Sequence, residues 1–273
     1  MKVIFSRKGF DSGSGRCASP IINGQPLSLP IPTRMPTITR FRDLNGPYGR
    51  LVCELTNGRL TPDDWCHLDP DINQACLPRK PCWRGSLGQE AAAQGHLANQ
   101  NIAHGDLFLF WGLFRVAAND GRWRFVGPAQ HRIWGWLQVG DIVNLGPDGS
   151  HAVQSRPWLC DHPHARAGWR ARNTLYLAAD RLALGFRELP FAGSGVLKRG
   201  YRLTADNGLT SRWAAPDWLN LARGGCGMTY NPAARWFSDG TVRSAARGQE
   251  FVAAPKPESG AMEWIESVIR DDP

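Results

Sequence analysis

Leu107-Phe108-Leu109-Phe110-Trp111-Gly112-Leu113-Phe114-Arg115-Val116 is the stretch that decides the fold. It is apolar throughout except at Gly112 and Arg115, the pattern of a strand with both faces buried. Asn119-Asp120-Gly121 follows as a turn signal, and Trp123 to Val126 returns as a partner, which makes a β-hairpin. Downstream, His131 to Leu137 alternates ring and aliphatic residues and reads as the next strand, reaching Val139-Gly140-Asp141. Asn173 to Ala178, Tyr201 to Thr204, Thr241-Val242 and Phe251-Val252 read as further strands. Upstream, Lys2 to Phe5 is a short buried strand that runs into a polar turn, Ser6 to Gly15. The strands follow one another without alternating helices. This predicts an α+β fold with a largely antiparallel mixed sheet, few helices and long irregular loops, and argues against a doubly wound fold.

The rest of the chain fills in around that sheet. Residues 16–50, rich in Pro and Gly, read as extended loop. The run Gln89-Glu90-Ala91-Ala92-Ala93-Gln94-Gly95-His96-Leu97 has high helix propensity, weakened at Gly95. A closing helix is expected at about 261–270, with Ser259 able to cap it. At 273 residues, one α+β domain spanning 1–273 is the expectation. No apolar region of a signal peptide and no stretch near the length of a membrane span is present, which points to a cytoplasmic protein without membrane attachment. Seven cysteines without a CxxC pair fit a reduced thiol set better than a disulfide framework. Cys66, His67, Cys76 and Cys82 cluster, but without the close pairing of structural zinc ligands, so no metal site is assigned. GxGxxG, P-loop, HExxH and GxSxG motifs are absent, and no cofactor is named.

Charge suggests the partner. The formal net charge is +8, most of the basic residues are arginine, and residues 160–250 carry 13 Arg and Lys against 7 Asp and Glu. A basic excess attracts polyanions, and arginine suits bidentate phosphate contact, so nucleic acid, DNA or RNA, is a natural partner. Twelve tryptophans serve either core or stacking surface.

Five polar clusters could carry chemistry. The first, Ser6-Arg7-Lys8-Gly9-Phe10-Asp11-Ser12-Gly13, sits at the end of a buried strand, where Arg7 and Lys8 could hold a phosphate; an ordinary solvated turn reads the same way. The second is His67-Leu68-Asp69-Pro70-Asp71. An extended chain stiffened by Pro70 points His67, Asp69 and Asp71 to one side, as an acid–base set or as the cap of a following helix. Third, Gln89 and His96 are spaced to share one helix face, with His104 beyond them. Fourth, His131, Gln138 and Asp141 surround the aromatic strand Ile133-Trp134-Gly135-Trp136-Leu137, which could stack a base or fill a core. Last, Asp161-His162-Pro163-His164 forms a stiff polar loop before Asn173 and Tyr176.

Several of these segments together carry a resemblance. They are Ile4-Phe5-Ser6-Arg7-Lys8-Gly9-Phe10-Asp11-Ser12, Leu27-Ser28-Leu29-Pro30-Ile31-Pro32, His67-Leu68-Asp69-Pro70-Asp71, Leu87-Gly88-Gln89, Gly105 to Gly112, Trp134 to Gly140, His162-Pro163-His164 and Asn173-Thr174-Leu175-Tyr176. Over roughly residues 1–220 the chain resembles the third of the nucleotide-modification-associated domain families of bacteria and phages. The resemblance implies an association with DNA base modification, or with defence against modified phage DNA.

The leading expectation is therefore a DNA-directed enzyme acting on a nucleobase, modified or plain, or on its glycosidic bond, by transfer or by excision as in a DNA glycosylase. Asp11, His67, Asp69 and Asp71 are the candidate catalytic residues, and Ser6, Arg7, Lys8, Gln89, His96, Gln138, His164 and Asn173 the candidate substrate-binding ones. Two alternatives stay open: a non-catalytic reader of modified DNA, and an enzyme acting on free nucleotides.

Overall fold

The structure, a computed structural model, describes residues 1–34, 37–206, 209–246, 248 and 250–270. The chain opens with strands β1 (Val3–Arg7), β2 (Ser19–Ile22), β3 (Gln25–Pro26) and β4 (Ile31–Pro32), then helix α1 (Tyr48–Leu55) and strand β5 (Cys66–His67). Next come β6 (Ser86–Glu90), α2 (Ala91–Asn99), β7 (Leu107–Asn119), β8 (Trp123–Asn144) and α3 (Ser150–Ser155). They are followed by β9 (Asn173–Ala178), β10 (Arg181–Leu184), β11 (Arg187–Ala192) and β12 (Ser194–Arg202). The chain ends with β13 (Arg212–Ala214), β14 (Thr241–Arg243), β15 (Glu250–Ala253) and α4 (Ala261–Arg270). No helix among the described residues is long and apolar enough to cross a membrane.

The main sheet follows the order β15-β1-β7-β8-β9-β6, with β12 added on β8 and β2 and β3 beside β7. β7 runs parallel to β1 and β2, and the other pairings are antiparallel, so the sheet is mixed and largely antiparallel as its sequence predicts. The apolar run of β7 is continuous because both of its faces are covered. Leu107, Leu109 and Trp111 join Val3, Phe5, Trp213, Trp218, Phe251 and Ile265 of α4 on one side. Phe108, Phe110 and Phe114 join Ile4, Leu97, Leu137 and Tyr176 on the other.

Four local readings are corrected. The two strands expected after the turn are one 22-residue strand, β8, whose register against β7 shifts twice. Such bulges bend a strand, and the bend lets β8 serve β7, β12 and β9 in turn. The segment 16–50 is not all loop: it carries β2 to β4 and the start of α1, which buries Tyr48, Leu51, Val52 and Leu55 at helical spacing. The helix expected from Gln89 begins at Ala91, where φ is +51°, while Gln89 itself lies in β6. Ser259 is not the cap of α4; its hydroxyl donates to the Lys256 carbonyl, and the Gly260 carbonyl accepts the first helical bond from Trp264.

The sheet also curls. β6 and β15 lie at opposite ends of the strand path, yet the Gln89 amide on β6 donates to Glu250 Oε1 on β15. The candidate site sits at this seam.

Candidate functional site

Three backbone arrangements bring the polar side chains to the seam. β1 ends at Arg7, and the Lys8 N–H continues its pairing by donating to the Trp111 carbonyl at 2.8 Å. Opposite, Gly112 leaves room for that approach, since a Cβ there would stand 2.5 Å from the Lys8 carbonyl oxygen. β4 pairs with β5 and sets His67 opposite Ile31. Beyond it, the Gly88 N–H of β6 donates to Asp69 Oδ1 at 2.6 Å. Gly88 is required for a second reason: the His164 ring lies over it, and a Cβ would fall 2.1 Å from that ring.

Asp69 is the centre of the arrangement. Its side chain is 4% exposed and meets four groups. The Gly88 N–H and His162 Nε2, the latter at 3.5 Å, face Oδ1; Lys8 Nζ and His67 Nε2, each at 3.8 Å, face Oδ2. Burial opposes the charge, but Lys8 and the imidazoles of His162 and His164 outweigh it and hold the carboxyl well below the usual carboxylate range. His67 and His164 go the other way: burial depresses them to about 4 and about 3, with Asp69 opposing the shift, so both rings are neutral near pH 7. Lys8 also stands 3.7 Å from Glu250 Oε1, which accepts from Ser6 Oγ and Gln89 Nε2. Burial raises the Glu250 carboxyl, with Lys8 and Ser6 opposing, and Oε2 has no hydrogen-bond partner.

His164 stacks on Trp169 with centroids 3.9 Å apart and planes 13° from parallel, and His67 lies 5.7 Å from the same indole. His164 Nδ1 faces Asn173 Oδ1 at 2.7 Å, and Asn173 Nδ2 donates to the His164 carbonyl. These side chains border a cleft of about 410 Å³ lined by residues that include Arg7, Asp11, Gln89 and Glu90.

The sequence candidates separate into two groups. Arg7, Lys8, Asp11, His67, Asp69, Gln89 and His164 line the cleft, and Ser6 and Asn173 support it from behind through Glu250 and His164. Asp11 commits Oδ1 to the N–H groups of Gly13 and Ser14, which folds its own turn, and Oδ2 lies 3.8 Å from Arg7.

Three candidates lie elsewhere. Asp71 does not share a side with His67 and Asp69; it bridges Ser86 through its backbone and accepts a two-pronged bond from Arg79, at 2.8 and 2.5 Å. His96 shares no helix face with Gln89 and instead meets Thr229 and Tyr230. Gln138 is spent on the backbone of Gly105 and Ala183. The cysteine cluster disperses as well. Cys66 and Cys76 pack into a core around Phe41 and Tyr48, where burial raises both thiols, and Cys82 is exposed.

Glu250 and Trp169 are among the site residues that sequence reasoning missed, together with Glu90 and Thr33 of the cleft lining. Glu250 precedes an apolar strand, a place where acids are ordinary, and its partners Ser6 and Gln89 are 244 and 161 residues away. Trp169 carries a signal only in hindsight, as one indole in a basic loop close after the paired histidines.

The fold and the cleft define an α+β protein with an ionised carboxylate ringed by imidazoles and one ammonium group. A family model described as nucleotide modification associated domain 3 matches residues 2–254, and the chain belongs to that family. The family description ties the chain to nucleotide modification. No curated protein and no solved structure matches it.

Proposed function

We propose that this protein is a DNA-directed enzyme that acts on a nucleobase, plain or modified, or at its glycosidic bond. The observation that carries the reading is Asp69: a buried carboxylate held ionised, with Oδ2 flanked by Lys8 and His67 at the edge of a cleft. Such a group can stabilise a developing oxocarbenium charge or orient an attacking water or hydroxyl. A base must leave the duplex to reach a cleft of this kind, and the His164–Trp169 stack offers a flat surface for it. Gln89 reads an edge of the base or an attached group, while the half-buried Arg7 at the cleft meets phosphate. Lys8, held between two carboxylates, serves the reacting centre rather than the DNA backbone.

The test is to incubate the pure protein with plain and with base-modified phage DNA, digest both to nucleosides and compare them by mass spectrometry. The expected result is a released base, an abasic site or a new adduct that is lost in Asp69→Asn. Unchanged DNA with both substrates, or full activity in Asp69→Asn, would overturn the reading. Salt-sensitive binding without turnover would instead favour a reader of modified DNA.

A further inference from the structure

We propose that His67, Asp69 and His164 form a binding site for one divalent transition-metal ion of the zinc, manganese or iron(II) class. Among the described residues, these are the three ligand-type side chains whose donor atoms converge, all within 4.8 Å of one another. Bond lengths of about 2.1 Å would bring such atoms to roughly 3–3.5 Å apart, a closure within reach of small χ rotations. Two imidazoles and one carboxylate suit a first-row transition metal better than magnesium or calcium, which favour oxygen ligands, and leave coordination positions open towards the cleft.

The surrounding hydrogen bonds prepare these atoms as ligands. Asn173 Nδ2 donates to a carbonyl, which fixes the amide so that Oδ1 faces the His164 ring. Since Oδ1 only accepts, Nδ1 carries the hydrogen and Nε2 is left with the free lone pair. Metal-binding histidines are commonly oriented in this way, by an oxygen on the ring nitrogen that does not bind the ion.

Asp69 is prepared from the other side. His162 Nδ1 accepts from the His164 N–H, so Nε2 bears the hydrogen. That nitrogen is buried and stands 3.5 Å from Asp69 Oδ1. With the Gly88 N–H, it anchors one oxygen and leaves Oδ2 to the ion. The Lys8 ammonium stands 3.8 Å from that oxygen. A bound ion would polarise a water or a substrate oxygen at the cleft.

The experiment needs no substrate, so it stands or falls apart from the proposed enzymatic activity. Chelator-treated protein is titrated with Co²⁺ and Zn²⁺, with Mg²⁺ as control, and the Co²⁺ form is examined by X-ray absorption. The expected result is one tightly held Co²⁺ or Zn²⁺ in a shell of nitrogen and oxygen that includes imidazole, and no comparable Mg²⁺ binding. Affinity should fall at least about tenfold in His164→Ala, and by a similar factor in Asn173→Leu, since outer-shell partners are worth roughly 10–100-fold. No stoichiometric binding by folded wild-type protein, a sulfur-containing shell, or unchanged affinity in His67→Ala and His164→Ala would overturn the proposal. The absorption measurement uses the wild-type chain, so the question is decided even if a variant fails to fold.

Discussion

Two ring clusters near the end of β1 use the same residue types to opposite ends. In the first, His131 packs against the touching indoles of Trp111 and Trp213, with centroids 4.8 and 5.9 Å away, and its Nδ1 accepts from Trp213 Nε1 at 2.9 Å. In the second, His67, His162 and His164 surround Asp69, and the indole of Trp169 stacks on an imidazole instead of bonding to it. Burial depresses the basicity of His131, His67 and His164 alike. The difference lies in what the ring nitrogens meet. His131 Nδ1 is taken up by Trp213 and Trp111 Nε1 beside it is buried without a hydrogen-bond partner, whereas the second cluster sets an ionised carboxylate and the buried His162 Nε2 beside a cleft. A buried polar network left incompletely satisfied costs stability, which is tolerable where the residual capacity is used by a ligand.

The largest expected effect comes from the second cluster. Asp69→Asn keeps the volume and removes the charge, and turnover of modified DNA should fall about a thousandfold or more, equivalent to about 4 kcal/mol of barrier. Urea unfolding should weaken too, because a carboxyl held below its ordinary range contributes stability at neutral pH, so turnover is compared per folded molecule. A variant that unfolds without first losing activity would erase the contrast between the clusters.

The first cluster should show the reverse. Trp213 is 1% exposed, so Trp213→Ala should cost roughly 3–5 kcal/mol of stability while the molecules that remain folded keep their activity per site. A smaller effect sharpens the same point through pH. Burial and the nearby Arg7 lower His131 to about 4, against an ordinary 6.5, with Asp11 opposing. The unfolded chain therefore binds more protons between pH 6.5 and about 4, and stability falls as pH drops through that window. His131→Asn keeps an acceptor for Trp213 and cannot take up the proton. From pH 7 to pH 5, the wild type should lose roughly 2 kcal/mol more than the variant in urea titrations. Equal losses would mean that His131 is not held neutral by its packing.

The two clusters were unequally legible. The sheet was readable because Val3 to Phe5, Leu107 to Trp111 and Leu175 to Ala178 are apolar runs and Asn119-Asp120-Gly121 marks the β7–β8 hairpin, all of it local information. Much of the cleft lining was also named, since His67, Asp69 and His164 stand in short polar loops beside strands. Asp71 was assigned to the same set because alternation along an extended chain was assumed to continue. The bridge to Ser86 and the pull of Arg79, eight residues on, broke it. Gln89 was placed on a helix because Ala91 to Ala93 favour one, but pairing with Thr174 extends the strand through it. Glu250 was illegible for a different reason. It matters only because the sheet curls until β6 reaches β15, and no local pattern encodes that closure.

The smallest expected effect probes the indole that belongs to the second cluster. Trp169 stacks on His164, and its Nε1 donates to the Pro163 carbonyl at 2.9 Å, so it both flattens the cleft wall and ties the loop that carries His162 and His164. An aromatic pair of this kind contributes about 1 kcal/mol beyond the area it buries. Trp169→Phe should retain most of the stacking and lose the hydrogen bond, whereas Trp169→Leu should lose both. If the stack serves only to hold His164, Trp169→Phe should lose about 1 kcal/mol of stability and Trp169→Leu about 2 kcal/mol, with KM unchanged in both. If a flipped base lies on it, Trp169→Leu should also raise KM for DNA by roughly tenfold, about the worth of one stacked base, and Trp169→Phe by much less. That split between KM and stability separates a wall of the cleft from a surface that binds the base, a distinction that the Trp213 cluster, its indole buried in the core, gives no reason to expect.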